Sequence, residues 1–191
     1  MIWIIIIASM AASFYVQHML KKRFTEYSQT PIAMTGKEVA EKMLHDNGII
    51  DVKVISVPGQ LTDHYNPMEK TVNLSEAVYH QQNIAAAAVA AHECGHAVQH
   101  ATSYSWLTMR STLVPVVSLT SNMLTWVLLA GIGLMMFTGN IYILSLGVFM
   151  FALVTLFSFI TLPVEYDASK RALVWLDNAH ITSTTQHTQA K

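Results

Sequence analysis

The chain has 191 residues, 52% of them hydrophobic and only 12% charged, with a mean hydropathy of +0.37. Soluble domains carry about a quarter charged residues, which excludes an ordinary soluble globule. Eleven Lys and Arg against twelve Asp and Glu exclude a basic nucleic-acid footprint, and a single cysteine excludes an internally disulfide-stapled scaffold. The charges are also segregated: residues 1–20 and 111–164 contain no Asp, Glu, Lys or Arg. This pattern describes a mostly α membrane protein with one small polar domain.

The first element, residues 2–20, is an apolar run that ends at Lys21-Lys22-Arg23. It is long enough to cross a bilayer core about 30 Å thick at about 1.5 Å per residue. A signal peptide carries its positive charge before the apolar run, and here the charge follows, so a retained anchor is expected. The polar segment 21–112 comes next. Within it, Thr35-Gly-Lys-Glu38 is a capping box that opens a helix, with Val39, Ala40, Met43 and Leu44 on one buried face and Asn47-Gly48 at its end. Residues 51–57 partly alternate and read as a strand. Residues 60–65 and 70–74 flank the turn signal Asn66-Pro67-Met68-Glu69, which predicts a hairpin. Asn83 then caps a helix with seven alanines between Ala85 and Ala97.

Residues 113–137 and 141–162 are the second and third expected spans, joined by Thr138-Gly139-Asn140 as a tight hairpin. Pro115, Gly131 and Gly133 are tolerated in membrane helices, where small residues let helices approach. A further helix is expected over 163–178, then a polar tail over 179–191. In a three-span arrangement Lys21, Lys22, Arg23, Arg110, Lys170 and Arg171 all fall on one side. The positive-inside rule makes that side cytoplasmic, so a multi-pass inner or plasma membrane protein with a cytoplasmic site is expected.

The alanine-rich helix contains His92-Glu93-Cys94-Gly95-His96. Helical residues four apart lie about 40° apart and roughly 6 Å along the axis, so two imidazoles converge on one metal ion. Zinc takes such ligands at about 2.0–2.1 Å. Glu93, turned about 100° from His92, stands beside the metal, where it can take a proton from water that the metal activates. Zinc needs a third protein ligand. His100 is a turn too far along, and a metzincin would need glycine at position 99 and histidine at position 102, where this chain has Gln99 and Thr102. The best candidate is Glu165, the first charged residue after the third span. It shares a helical face with Ala168, Ser169 and Ala172, small residues that would let this helix dock on the alanine helix. His64 and Tyr65 on the hairpin, and Tyr166, Arg171 and His100 on helices, are lesser candidates for an oxyanion or substrate contact. Cys94 faces away from the histidines and is expected to be packing.

The stretches LTDHYNPMEKTVNLSEAVYH, AAAAVAAHECGHAVQHA and LPVEYDASKRA together resemble the bacterial membrane neutral zinc metallopeptidases of the YugP type. More distantly, the H-E-x-x-H with a downstream E-x-x-A is similar to the HtpX-like membrane gluzincins. The resemblance runs from the first span to about Ala172. It implies a zincin-like cytoplasmic α+β domain, one zinc per chain on His92, His96 and Glu165, and Glu93 as the catalytic base. It also implies hydrolysis of peptide bonds in a peptide or protein substrate. The expected partners are that substrate, with membrane-associated chains favoured by the position of the site, and the bilayer; no oligomeric state is assigned. Two departures stand out. Gluzincins often carry an acid four residues after the third ligand, which orients a zinc-bound histidine; this chain has Ser169 there, with Asp167 on the other face. Family members also tend to continue into another hydrophobic helix, where this chain has a polar Thr/Gln/His tail. The rival reading is a non-catalytic membrane scaffold in which zinc only holds helices together; a carboxylate at position 93 would have no use there.

Overall fold

The computed structural model describes residues 2–181. The elements in order are helix α1 (Ile2–Tyr27), α2 (Gly36–Asp46), strands β1 (Lys53–Val57), β2 (His64–Asn66) and β3 (Thr71–Ser75), then α3 (Glu76–Tyr79), α4 (Ile84–Ala101), α5 (Ser105–Thr138) and α6 (Tyr142–Asn178). They form two compact units, one of Met1–Val98 with Ser169–Lys191 and the other of Gln99–Ala168.

In the first unit, the Thr35 hydroxyl accepts the Glu38 N–H, and the Glu38 carboxylate accepts the Thr35 N–H at 2.7 Å, so the capping box is complete. The resulting α2 buries Val39, Ala40, Met43 and Leu44. They pack in a core with Val72 and Leu74 of β3, the alanines of α4, and Ala172 and Leu176 of α6. The sheet order is β1-β3-β2, with β1 parallel and β2 antiparallel to β3. As the central strand, β3 is buried at every residue. Its polar Asn73 is satisfied inside the sheet by the Thr71 hydroxyl at 3.0 Å and by the Thr71 and His64 carbonyls at 3.3 Å.

The expected hairpin exists, but its first strand is shorter than 60–65: β2 begins at His64. Gly59 and Leu61 both have positive φ, which takes the backbone out of the ladder. Asp63 turns instead to β3, accepting the Ser75 N–H at 2.7 Å and its hydroxyl at 3.1 Å. The turn forms as read, with the Asn66 side chain accepting the Met68 and Glu69 N–H groups.

The second unit is built on α5 and the first part of α6. Among the described residues, these are the two helices long and apolar enough to cross a membrane. Gly139, left-handed at φ 69°, ends α5, and the Asn140 side chain accepts the Tyr142 N–H at the start of α6. The two helices approach closely at Gly131, where a Cβ would lie 2.6 Å from the Leu144 Cα, and at Gly147, where one would meet the Leu128 side chain. Gly133 has open space instead. The third span and the helix expected over 163–178 are one continuous helix, with Pro163 inside it. From residue 182 onward, the polar tail lies outside the described residues.

Candidate metal centre

The Asn83 side chain accepts the Ala86 N–H at 2.8 Å and starts α4. Eight residues of small or aliphatic side chain then lead to the two histidines. The His92 and His96 rings lie 4.9 Å apart, nearly perpendicular at 83°. His96 is buried and His92 half-buried. His92 Nδ1 lies 3.1 Å from the Ser169 hydroxyl of α6. A ring held through Nδ1 presents Nε2 to a metal, and the partner of the other nitrogen selects that tautomer.

Glu93 is 8% exposed. Its carboxylate accepts the Tyr65 backbone N–H at 3.1 Å. On β2, Tyr65 pairs with Val72 in an antiparallel register, and its N–H is directed off the outer edge of the sheet toward α4. The sheet thus holds the carboxylate that stands between the histidines in sequence.

Glu165 lies on α6, with one carboxylate oxygen 3.3 Å from the Arg110 guanidinium of α5. Nearby, the fully buried Gln99 amide donates to the Val164 carbonyl at 2.8 Å and to Asp167 at 2.9 Å. In the first unit the His92 and His96 imidazoles, one helical turn apart on α4, offer two ligand atoms to one metal ion; Glu165, the third ligand expected from the sequence, belongs to the second unit. Two imidazoles and a carboxylate are a donor set that zinc takes, and three protein ligands leave a position open, as in catalytic rather than structural sites.

The lesser candidates separate clearly. Tyr65 touches Glu93 through its backbone, and burial, with the charge of Asp51 second, pushes its phenol above the ordinary tyrosine range. His64 is exposed and turned to its own backbone, 2.7 Å from the Thr62 carbonyl. Tyr166 is 77% exposed, and His100 is exposed as well. Arg171 lines a separate cavity with Met43 and Trp175. Cys94 is buried against the Ala40 carbonyl, and burial raises its thiol far above the ordinary range. Its role is packing.

Three contacts of these helices escaped the sequence reading. Ser169 occupies the orienting position that lacked an acid. Gln99, noted only as a departure from another family, ties α4 to the α6 backbone. Arg110 carried a signal that was available: it is the last charge before the charge-free stretch, as Glu165 is the first after it. The two therefore end the same side of the α5–α6 hairpin.

Comparison with known proteins agrees with this chemistry. The family described as "Putative neutral zinc metallopeptidase" matches residues 2–191. The chain is 42% identical over 168 residues to "Putative membrane protease YugP" of Bacillus subtilis (strain 168), covering 87% of this chain and 73% of the relative. No solved structure matches. Sequence and geometry lead to one conclusion: the chain belongs to the neutral zinc metallopeptidase family, and it is a zinc-dependent peptidase.

Proposed function

We propose that this chain is a multi-pass membrane endopeptidase whose zinc is held by His92, His96 and Glu165, with Glu93 as general base, in a zincin-like domain at the cytoplasmic surface. The observation that supports the reading is the His92–His96 pair, rings 4.9 Å apart, beside a buried carboxylate anchored by the Tyr65 N–H, in a chain of the neutral zinc metallopeptidase family. Bound zinc supplies Lewis-acid polarisation of the scissile carbonyl and lowers the pKa of the attacking water toward about 7. Glu93 takes the proton of that water and delivers it to the leaving amine. Its hydrogen bond from the Tyr65 N–H orients the carboxylate that moves the proton. Ser169 holds His92 by Nδ1, so that Nε2 faces the metal. Arg110, 3.3 Å from Glu165, holds that carboxylate against rotation.

Location completes the reading. Residues 2–20, α5 and the first part of α6 are the three crossings. The distribution of Lys21, Lys22, Arg23, Arg110, Lys170 and Arg171 supports a cytoplasmic domain. Glu165 follows directly on an apolar span, which favours membrane-associated or misfolded membrane chains as substrates.

Glu93→Gln tests the chemistry. The variant keeps the shape and the hydrogen bond but removes the base. Full-length protein in detergent should retain zinc and lose peptide cleavage by at least about a hundredfold, within the usual contribution of a positioned acid–base group. Cleavage at the wild-type rate would remove Glu93 from the mechanism and leave a scaffold role for the metal.

A further inference from the structure

A cavity of 360 Å³ opens beside the proposed base, within the range of about 300–1,000 Å³ typical of ligand sites. His92, Glu93 and Ser169 form one end. The rest is apolar: Ala88 and Val89 of α4, Ala172, Leu173 and Leu176 of α6, and Leu20 of α1. Leu61 closes a wall from the β1–β2 connection, where its backbone is left-handed at φ 58°. Asp63 also reaches the lining, but its carboxylate accepts two hydrogen bonds from Ser75.

The space has a sequence origin. On α4, Ala88 precedes His92 by one turn on the same face. On α6, Ala172 follows Ser169 by three residues. An alanine thus stands next to a proposed site residue on both helices, and a larger side chain at either position would fill the cavity.

We propose that this cavity is the specificity pocket of the enzyme and takes a large aliphatic or aromatic side chain flanking the scissile bond. The inference rests on the proposed peptidase site. An apolar pocket whose polar end is the base and a metal ligand recognises a neighbouring residue by burial and leaves the peptide group to the polar end. Charged and small residues are then disfavoured at that position, and segments rich in Leu, Ile, Met and Phe are the substrate class. Leu20 adds a wall from α1, so the anchor helix itself contributes to selectivity.

The test uses full-length, zinc-loaded protein in detergent with a mixture of peptides from a digested proteome, cleavage sites being mapped by mass spectrometry. Wild type should favour bonds flanked by large apolar residues at least about tenfold over those flanked by alanine. That preference should collapse in Ala88→Leu, which fills the cavity. Leu61→Asp, at an exposed position, should weaken it without endangering the fold. Cleavage without apolar preference, or a preference unchanged in both variants, would overturn the pocket. A second arm reads the pocket without turnover: titration calorimetry of Glu93→Gln with a hexapeptide carrying a central Leu or a central Ala. At least about tenfold tighter binding of the Leu peptide is expected, and equal binding would overturn the proposal. Failure of wild type to cleave any peptide, with the binding difference intact, would count against the peptidase chemistry and leave the pocket standing.

Discussion

Ser169 shows how much one hydroxyl decides. His92 is half-buried, and its Nδ1 lies 3.1 Å from that side chain. Partners of this kind alter metal affinity by about 10–100-fold. Ser169→Ala should therefore weaken zinc binding by about tenfold or more in competition with a chelator, and Ser169→Thr, which keeps the hydroxyl, should restore it. Unchanged affinity in Ser169→Ala would make the contact incidental. At this scale the sequence was legible where spacing alone determines geometry. His92, Glu93 and His96 could be placed because a helix fixes their angles whatever surrounds it. Ser169 could not, since serine has no chemical signature until a ring nitrogen is beside it. Gln99 was opaque for a similar reason: an amide reads as polar surface, whereas here it is fully buried between a carbonyl and a carboxylate.

Helices and strands were legible wherever a local cap or turn specifies them. The Thr35–Glu38 capping box, the Asn83 cap and the Asn66 turn all form as their side chains dictate. The shortened β2 was not legible, because positive φ at Leu61 is a tertiary outcome at a residue that rarely adopts it. The boundary expected after residue 162 does not form: α6 runs on through Pro163, as prolines are tolerated within apolar helices. The α5–α6 pair offers a controlled comparison. A side chain at Gly131 meets the Leu144 backbone, whereas one at Gly133 meets nothing within 4 Å. Gly131→Leu should lower the unfolding temperature in detergent by several degrees, on the order of 1–3 kcal/mol of overpacking, while Gly133→Leu changes it little. Equal effects would show that the helices do not touch at Gly131.

For the whole molecule, composition pointed to a membrane protein, and α5 and α6 have the length and apolarity for crossing. The proposed topology puts Asn140 outside the cell and the α2–β1 turn at Gly48 inside. Cys94, buried and held as a thiol, leaves the native chain silent to polar thiol reagents. A cysteine introduced at Asn140 should therefore react with a membrane-impermeant maleimide on intact cells, and one at Gly48 only after lysis; the opposite pattern would invert the topology. The central claim, that His92, His96 and Glu165 hold one zinc, depends on residues far apart in the chain and is tested most directly by metal content. Full-length protein purified in detergent and supplied with zinc should carry about one ion per chain, as three ligands with an open position require. Glu165→Ala should lose most of it. Zinc retained in full by Glu165→Ala, or none bound by the wild type, would contradict the account.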